Sequence, residues 1–147
     1  MAKAPQLAMT QEEIWRQLSE AYVLITAGLE RELFRHHQLR LSEFHALSSM
    51  AKAVDGSLRM QDLADAVVLN QSSVTRIVAR LESQGLCERC LCPDDRRGVF
   101  TRIHEAGRRK VAEAEPTYLK TLTAECEQRG VSVDLVSGAY RLTVTSK

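Results

Sequence analysis

Aromatic side chains are scarce in this chain: three Phe, three Tyr and one Trp make up 5% of 147 residues. Large β-sandwiches and barrels need bulky strand residues and frequent turns. With only seven Gly and three Pro as well, a large all-β sandwich is disfavoured and helix is favoured. No apolar run approaches the ~20 residues of a membrane span, and Met1 to Thr10 lacks the apolar core of a secretory signal, so a cytoplasmic protein with no membrane partner is expected. Cys87, Cys90, Cys92 and Cys126 then read as reduced thiols, not a disulfide framework. Also missing are a Gly-rich phosphate loop, a His-Glu-x-x-His pair and a nucleophile elbow. Asp94-Asp95 sits at a turn beside arginines and not in an evident cleft, so neither an enzyme nor a cofactor is expected.

Charge of one sign is also lacking, since 20 Lys+Arg face 19 Asp+Glu. On its face a net charge of +1 speaks against a dedicated nucleic-acid binder, which is often plainly basic. Its distribution says otherwise. Residues 76–110 hold nine basic and five acidic side chains, while 1–55, 56–75 and 111–147 are each acidic by one. Every base in that stretch except Lys110 is Arg, whose planar fork suits phosphate and guanine. A solvated charged surface is the plainer alternative.

What is present is mostly helical period. From about Thr10 to His37, Ile14, Leu18, Tyr22, Ile25, Leu29 and Leu33 recur at spacings of three and four, and Thr10 with Glu13 forms a capping box. Trp15, Val23, Leu24 and Phe34 widen the apolar stripe, which suggests packing against a second chain as well as its own. Ser42 opens a second helix, with Phe44, Leu47 and Met50 inward, ending near Asp55-Gly56. Ser57-Leu58-Arg59 reads as a short extended piece. A short third helix runs from Gln61 to Val67, with Leu63, Ala64 and Val67 inside. Val68-Leu69 fills a turn, and Asn70 is placed to cap the next helix by accepting from the amide of Ser72 or Ser73. That fourth helix spans about Gln71 to Gln84, buries Val74, Ile77, Val78 and Leu81, and stops at Gly85.

The period then changes. Leu86 to Leu91 and Gly98 to Ile103 read as two strands joined by Pro93-Asp94-Asp95-Arg96-Arg97-Gly98, a turn composition. Helix returns from Glu105 to about Gln128, with a kink or break expected at Pro116. Val131 to Val144 fits either period.

Three helices, the last two joined by a tight turn, followed by an arginine-tipped hairpin, make a winged helix-turn-helix. Gln71, Ser72, Ser73, Thr75, Arg76 and Arg80 fall on the outer side of the fourth helix, where short or forked hydrogen-bonding groups reach base edges and phosphates. Leu63-Ala64 through Leu69-Asn70, Ser72-Ser73-Val74-Thr75-Arg76, Leu81 to Leu86, Pro93 to Gly98 and Glu105-Ala106-Gly107-Arg108, in that order, resemble the MarR family of bacterial transcriptional regulators over roughly residues 10–115. The resemblance implies a mainly α fold with a small β-hairpin wing. An N-terminal dimerisation helix would occupy 1–40, a DNA-binding lobe 41–104 and C-terminal dimerisation helices 105–147. It implies a homodimeric repressor on a pseudo-palindromic double-stranded DNA operator. In the family's Asp-x-Arg wing motif, here Asp95 and Arg97, the carboxylate steadies an arginine that enters the minor groove, where narrow A·T tracts attract guanidinium. Arg96 is then the phosphate contact, and the sequence leaves open which arginine enters.

The resemblance also implies a regulating signal, for which a small aromatic or phenolic effector is preferred. Its pocket would draw on His36, His37, Phe44 and His45, although a surface His pair at a helix end is the plainer reading. Oxidant sensing would fall on Cys90 or Cys92 beside Arg89, Arg96 and Arg97. The oxidant-sensing branch, however, carries its reactive cysteine near the N-terminus, where this chain has none. Zinc is disfavoured, because strand alternation sets Cys87 on the face opposite Cys90 and Cys92. A winged-helix module that binds protein and not DNA is the remaining alternative. The C-terminus departs from the family: Gly130-Val131-Ser132-Val133 and Ser137-Gly138 interrupt the expected final helix, which is expected to be shorter or displaced.

Overall fold

The computed structural model describes residues 9–92, 95–136 and 139–144, with side chains at 9–91, 98–132 and 143. The fold is mainly helical, with a small wing. Its elements run α1 (Gln11–His37), α2 (Leu41–Lys52), β1 (Ser57–Arg59), α3 (Met60–Val67), α4 (Gln71–Ser83), β2 (Cys87–Cys92), β3 (Asp95–Ile103), α5 (Glu105–Gln128), β4 (Val131–Val136) and β5 (Ala139–Val144). Two compact units divide them: residues 30–119, and residues 1–29 with 120–147. The winged-helix unit therefore takes in the end of α1 and the first half of α5, and its borders differ from the divisions expected at 40 and 104.

The core of the winged-helix unit joins Leu33 and Leu39 to Phe44, Leu47 and Met50 of α2, Leu63 and Ala64 of α3, the Val74, Ile77, Val78, Leu81 stripe of α4, and Ile103, Val111 and Ala114. Spacings of three and four put each helical set on one stripe. A fully buried Leu such as Leu81 contributes on the order of 2 kcal/mol. The three-stranded antiparallel sheet has the order β1-β3-β2. Ser57 pairs with Arg102, Cys87 with Ile103 and Cys90 with Phe100, and a register shift falls between Leu91 and Cys92. At the start of α5, Gly107 lies so close to the Leu86 carbonyl that a β-carbon there would collide with it, which gives the Ala-Gly-Arg stretch a packing role.

In the other unit, Glu125 of α5 lies against Gly28 of α1, where a β-carbon would collide with the carboxylate, and it pairs with Arg129 one turn on. Burial pushes the Cys126 thiol above its ordinary pKa.

Three expectations are corrected. First, the break allowed for at Pro116 is absent: α5 continues through it as one helical span, and the proline costs that span one backbone hydrogen bond. Second, Val68 does not fill the turn. It takes a left-handed φ of 55° and is 86% exposed, and Leu69 is 38% exposed. Third, the described residues between 131 and 144 form strands, Val131–Val136 and Ala139–Val144, and not the expected final helix. The expected C-terminal helices are one helix followed by the antiparallel hairpin β4–β5, in keeping with the β-branched Val131, Val133 and Val136.

Candidate nucleic-acid interface

The interface is built from the start of α4. Asn70 caps that helix as expected: its Oδ1 accepts from the Ser73 amide and from the Ser72 hydroxyl, both at 2.8 Å. The cap leaves the free amides of the first turn facing outward with the helix dipole's positive end, an arrangement that favours anionic partners. Gln71, Ser72, Thr75 and Arg76 are exposed and Ser73 is half-buried, opposite the stripe of Val74, Ile77, Val78 and Leu81. The Thr75 hydroxyl donates to the Gln71 carbonyl at 2.8 Å, which orients its methyl and oxygen. Among the described residues Arg76 makes no ion pair.

Arg80 sits differently from the rest of the set. Its guanidinium lies 3.0 Å from the Glu43 carboxylate, whose side chain is only 4% exposed. The other Glu43 oxygen accepts the Arg40 amide at 2.9 Å, closing the first turn of α2. Arg80 thus compensates a buried charge that links α2 to α4, a structural task, even though the side chain remains partly open to solvent. Glu43 was missed by sequence reasoning. Its one local signal is the position three residues after Arg40.

Between the beginnings of α3 and α4 and the wing lies an open groove of about 450 Å³, lined by Arg59, Gln61, Gln71, Thr75, Arg89 and Val99 among others. Two of its cations are held in place. The Arg59 guanidinium stands 5.2 Å from the centre of the Phe100 ring, a cation–π arrangement. Arg89 is gripped by Glu82, which accepts from its backbone amide at 2.6 Å and from its side chain at 2.8 and 2.7 Å. These hydrogen bonds, from the side chain first, hold the Glu82 carboxyl below its ordinary pKa. Arg59 and Gln61 were not singled out by sequence, because a lone Arg before a short helix carries no pattern. Nor does the whole basic excess face outward, since Arg108 donates to the Ala51 carbonyl at 3.2 Å.

Asp95, Arg96 and Arg97 lie on the backbone of β3, but their side chains, that of Cys92, and Pro93-Asp94 lie outside the described residues. Cys87 is buried, and burial raises its thiol to about 11. Cys90 is half-buried. Among the described residues, no three His, Cys, Asp or Glu side chains gather to hold a metal ion.

The four residues expected around an effector divide into two pairs. Phe44 is buried and stacks on Tyr118 at 4.7 Å, and His45 meets the edge of the same ring at 5.8 Å. Burial, reinforced by the charge of Lys52, lowers the His45 pKa. At the end of α1, His36 lies 3.5 Å from Glu32, while His37 Nε2 is 2.8 Å from the Thr117 hydroxyl and has its pKa lowered, chiefly by burial. A cleft of about 410 Å³ at that helix end is lined by Glu30, Arg31, Phe34, Arg35 and Arg40.

Comparison with known proteins places this geometry. The MarR family model matches residues 39–99. The HTH-type transcriptional regulator MhqR of Bacillus subtilis is 33% identical over 90 residues, 61% of this chain and 60% of that protein. The match therefore spans less than two thirds of that relative's length. Among solved structures, the MarR-family regulator Sco3205 of Streptomyces coelicolor, crystallised in complex with DNA, superposes with a TM-score of 0.75 at 29% identity, covering 83% of this chain and 80% of that one. AbsC of the same organism, also a MarR-family regulator, gives a TM-score of 0.74 at 26% identity, with 82% of each chain covered. No helix among the described residues is long and apolar enough to cross a membrane.

Proposed function

From the MarR-family domain that this chain carries at residues 39–99, and from the winged helix-turn-helix fold around it, we propose that the protein is a DNA-binding transcriptional regulator and not an enzyme. It acts in the cytoplasm as a homodimeric repressor on a pseudo-palindromic operator. Helix α4 of each protomer enters successive major grooves about 34 Å apart, and the wings reach the flanking minor grooves. The carrying observation is the α4 face: Gln71, Ser72, Thr75 and Arg76 exposed around a capped N-terminus, with all its bulky apolar residues turned inward. That Sco3205, similar at 29% identity, was crystallised in complex with DNA supports DNA as the partner here.

Gln71, Ser72, Ser73, Thr75 and Arg76 are assigned to base edges and nearby phosphates. Asp95 and Arg97 are assigned to the minor groove, and Arg96 to the backbone. A small aromatic or phenolic compound is the favoured effector. The cleft at the end of α1 supplies guanidinium forks from Arg35 and Arg40 and a partly exposed Phe34 ring, which suit carboxylate and aryl groups respectively. Thiol sensing at Cys90 or Cys92 is less favoured, because the oxidant-sensing branch of the family carries its reactive cysteine near the N-terminus, where this chain has none.

Footprinting on the DNA adjoining the gene tests the reading. A protected, two-fold symmetric site is expected, with binding that weakens steeply as salt rises. A protein that binds no duplex even at low salt would be a protein-interaction module instead.

A further inference from the structure

The connection between α1 and α2 is short and fixed at both ends. Gln38 closes α1 in a left-handed conformation, with φ of 53°, and the next residue, Leu39, is fully buried. Two carboxylates then hold the leading amides of α2. Glu30 of α1 accepts from Leu41 at 2.6 Å, and Glu43 accepts from Arg40 at 2.9 Å. The second oxygen of Glu43 meets the Arg80 guanidinium of α4 at 3.0 Å. These contacts, joined by the Arg40-Leu41 peptide, run from α1 through the first turn of α2 to α4. Glu30 and Arg40 both line the cleft at the end of α1, so the run begins at the cleft assigned to the effector and ends on the helix assigned to DNA.

The apolar stripe of Val74, Ile77, Val78 and Leu81 keeps α4 on the core, but burial is non-directional and constrains rotation about the helix axis less than withdrawal from the core. A charge-assisted hydrogen bond from a buried carboxylate is directional. Rotation matters for reading DNA. A turn of about 20° carries a side-chain tip 5–6 Å from the axis through about 2 Å, enough to break a hydrogen bond to a base edge.

We propose that Glu30 and Glu43 are positioning residues for α4: they fix the first turn of α2, which through Arg80 sets the rotation of the DNA-reading helix. This inference rests on the DNA-binding reading and deepens it. Neither carboxylate attracts a phosphate, so their removal separates two effects by sign. Loss of a negative charge alone strengthens binding to DNA, and loss of a positioning contact weakens it.

Operator binding by the full-length protein tests this, measured by fluorescence anisotropy over a salt series with each variant shown to be folded. Glu30→Ala should weaken binding about fivefold at an unchanged salt slope. In an Arg80→Ala background the same change should alter affinity by less than about twofold, because the run is already cut. Glu43→Gln keeps an acceptor for the Arg40 amide and loses its charge toward Arg80. It should reproduce the Glu30→Ala loss, and it stands in for that variant if Glu30→Ala does not fold. Folded Glu30→Ala protein with wild-type or tighter affinity, or a fivefold loss that persists without Arg80, overturns the inference and leaves the proposed function standing. A wild-type protein that binds no duplex sinks both.

Discussion

Two residues in comparable positions show how side-chain identity and backbone conformation conflict. Helices α3 and α4 both end in a left-handed residue that brings the next amide back onto the helix. Leu69 donates to the Ala64 carbonyl at 3.0 Å and Leu86 to the Leu81 carbonyl at 3.0 Å, as in a Schellman motif. At α4 the left-handed position is Gly85, with φ of 70°; at α3 it is Val68, with φ of 55°. A left-handed conformation costs a residue with a β-carbon about 1–2 kcal/mol, and β-branching makes Val a poor occupant. With 86% of the side chain exposed, packing offsets little of this cost. Val68→Gly should therefore raise the unfolding free energy by about 1 kcal/mol, measured by urea denaturation. A loss of stability would show that Val68 makes an apolar contact that outweighs its strain. Sequence placed Val68 inside the turn because an apolar residue between two amphipathic helices reads as filler, and left-handed φ leaves no pattern in neighbouring residues.

At the scale of the element, the legible parts were those with local causes. Thr10 and Glu13 bond each other's backbone at the start of α1, with the Thr10 amide 2.8 Å from the carboxylate, and the four-residue stripe of α4 buries as its spacing dictates. The cap of α4 belongs to the same class and has a measurable value. Replacing Asn70 by Ala removes the acceptor for Ser73 N–H and leaves the Ser72 hydroxyl to water. The expected loss is about 1 kcal/mol, with Asn70→Asp retaining most of it. Thermal denaturation of the two variants side by side distinguishes the lost cap from a general change at the site. If Asn70→Ala unfolds like the wild type, the cap is not what fixes the start of α4. The C-terminal hairpin was illegible for the opposite reason. Val131, Val133, Leu135 and Val136 satisfy both a helical and a strand period, and the choice depends on pairing with residues 139–144, which no local window contains.

For the whole molecule, net charge proved a poor guide and charge placement a better one, yet even the regional excess of arginines divides by role only in three dimensions. Arg76 and Arg80 are one turn apart on the same helix and look equivalent in sequence. The separation comes from Glu43, 37 residues before Arg80 and buried beneath it. Removing one partner of a buried ion pair costs about 3–5 kcal/mol. Because Arg80 itself is partly open to solvent, Arg80→Ala should lose less than that full range, about 2–3 kcal/mol. Arg76→Ala touches no described ion pair and should stay within about 0.5 kcal/mol of the wild type. Their effects on DNA should run the other way once folding is controlled. Arg76→Ala weakens operator binding by about 1–3 kcal/mol per half-site if it reads a base, or flattens the salt dependence by about one charge per half-site if it meets a phosphate. Arg80→Ala, assayed well below its melting temperature, keeps the wild-type salt slope. Paired denaturation and salt-titrated binding on the two variants decide between these assignments. An Arg80→Ala protein as stable as the wild type would mean that Glu43 tolerates burial unpaired, and an Arg76→Ala protein with unchanged affinity and slope would remove α4 from the DNA-reading surface.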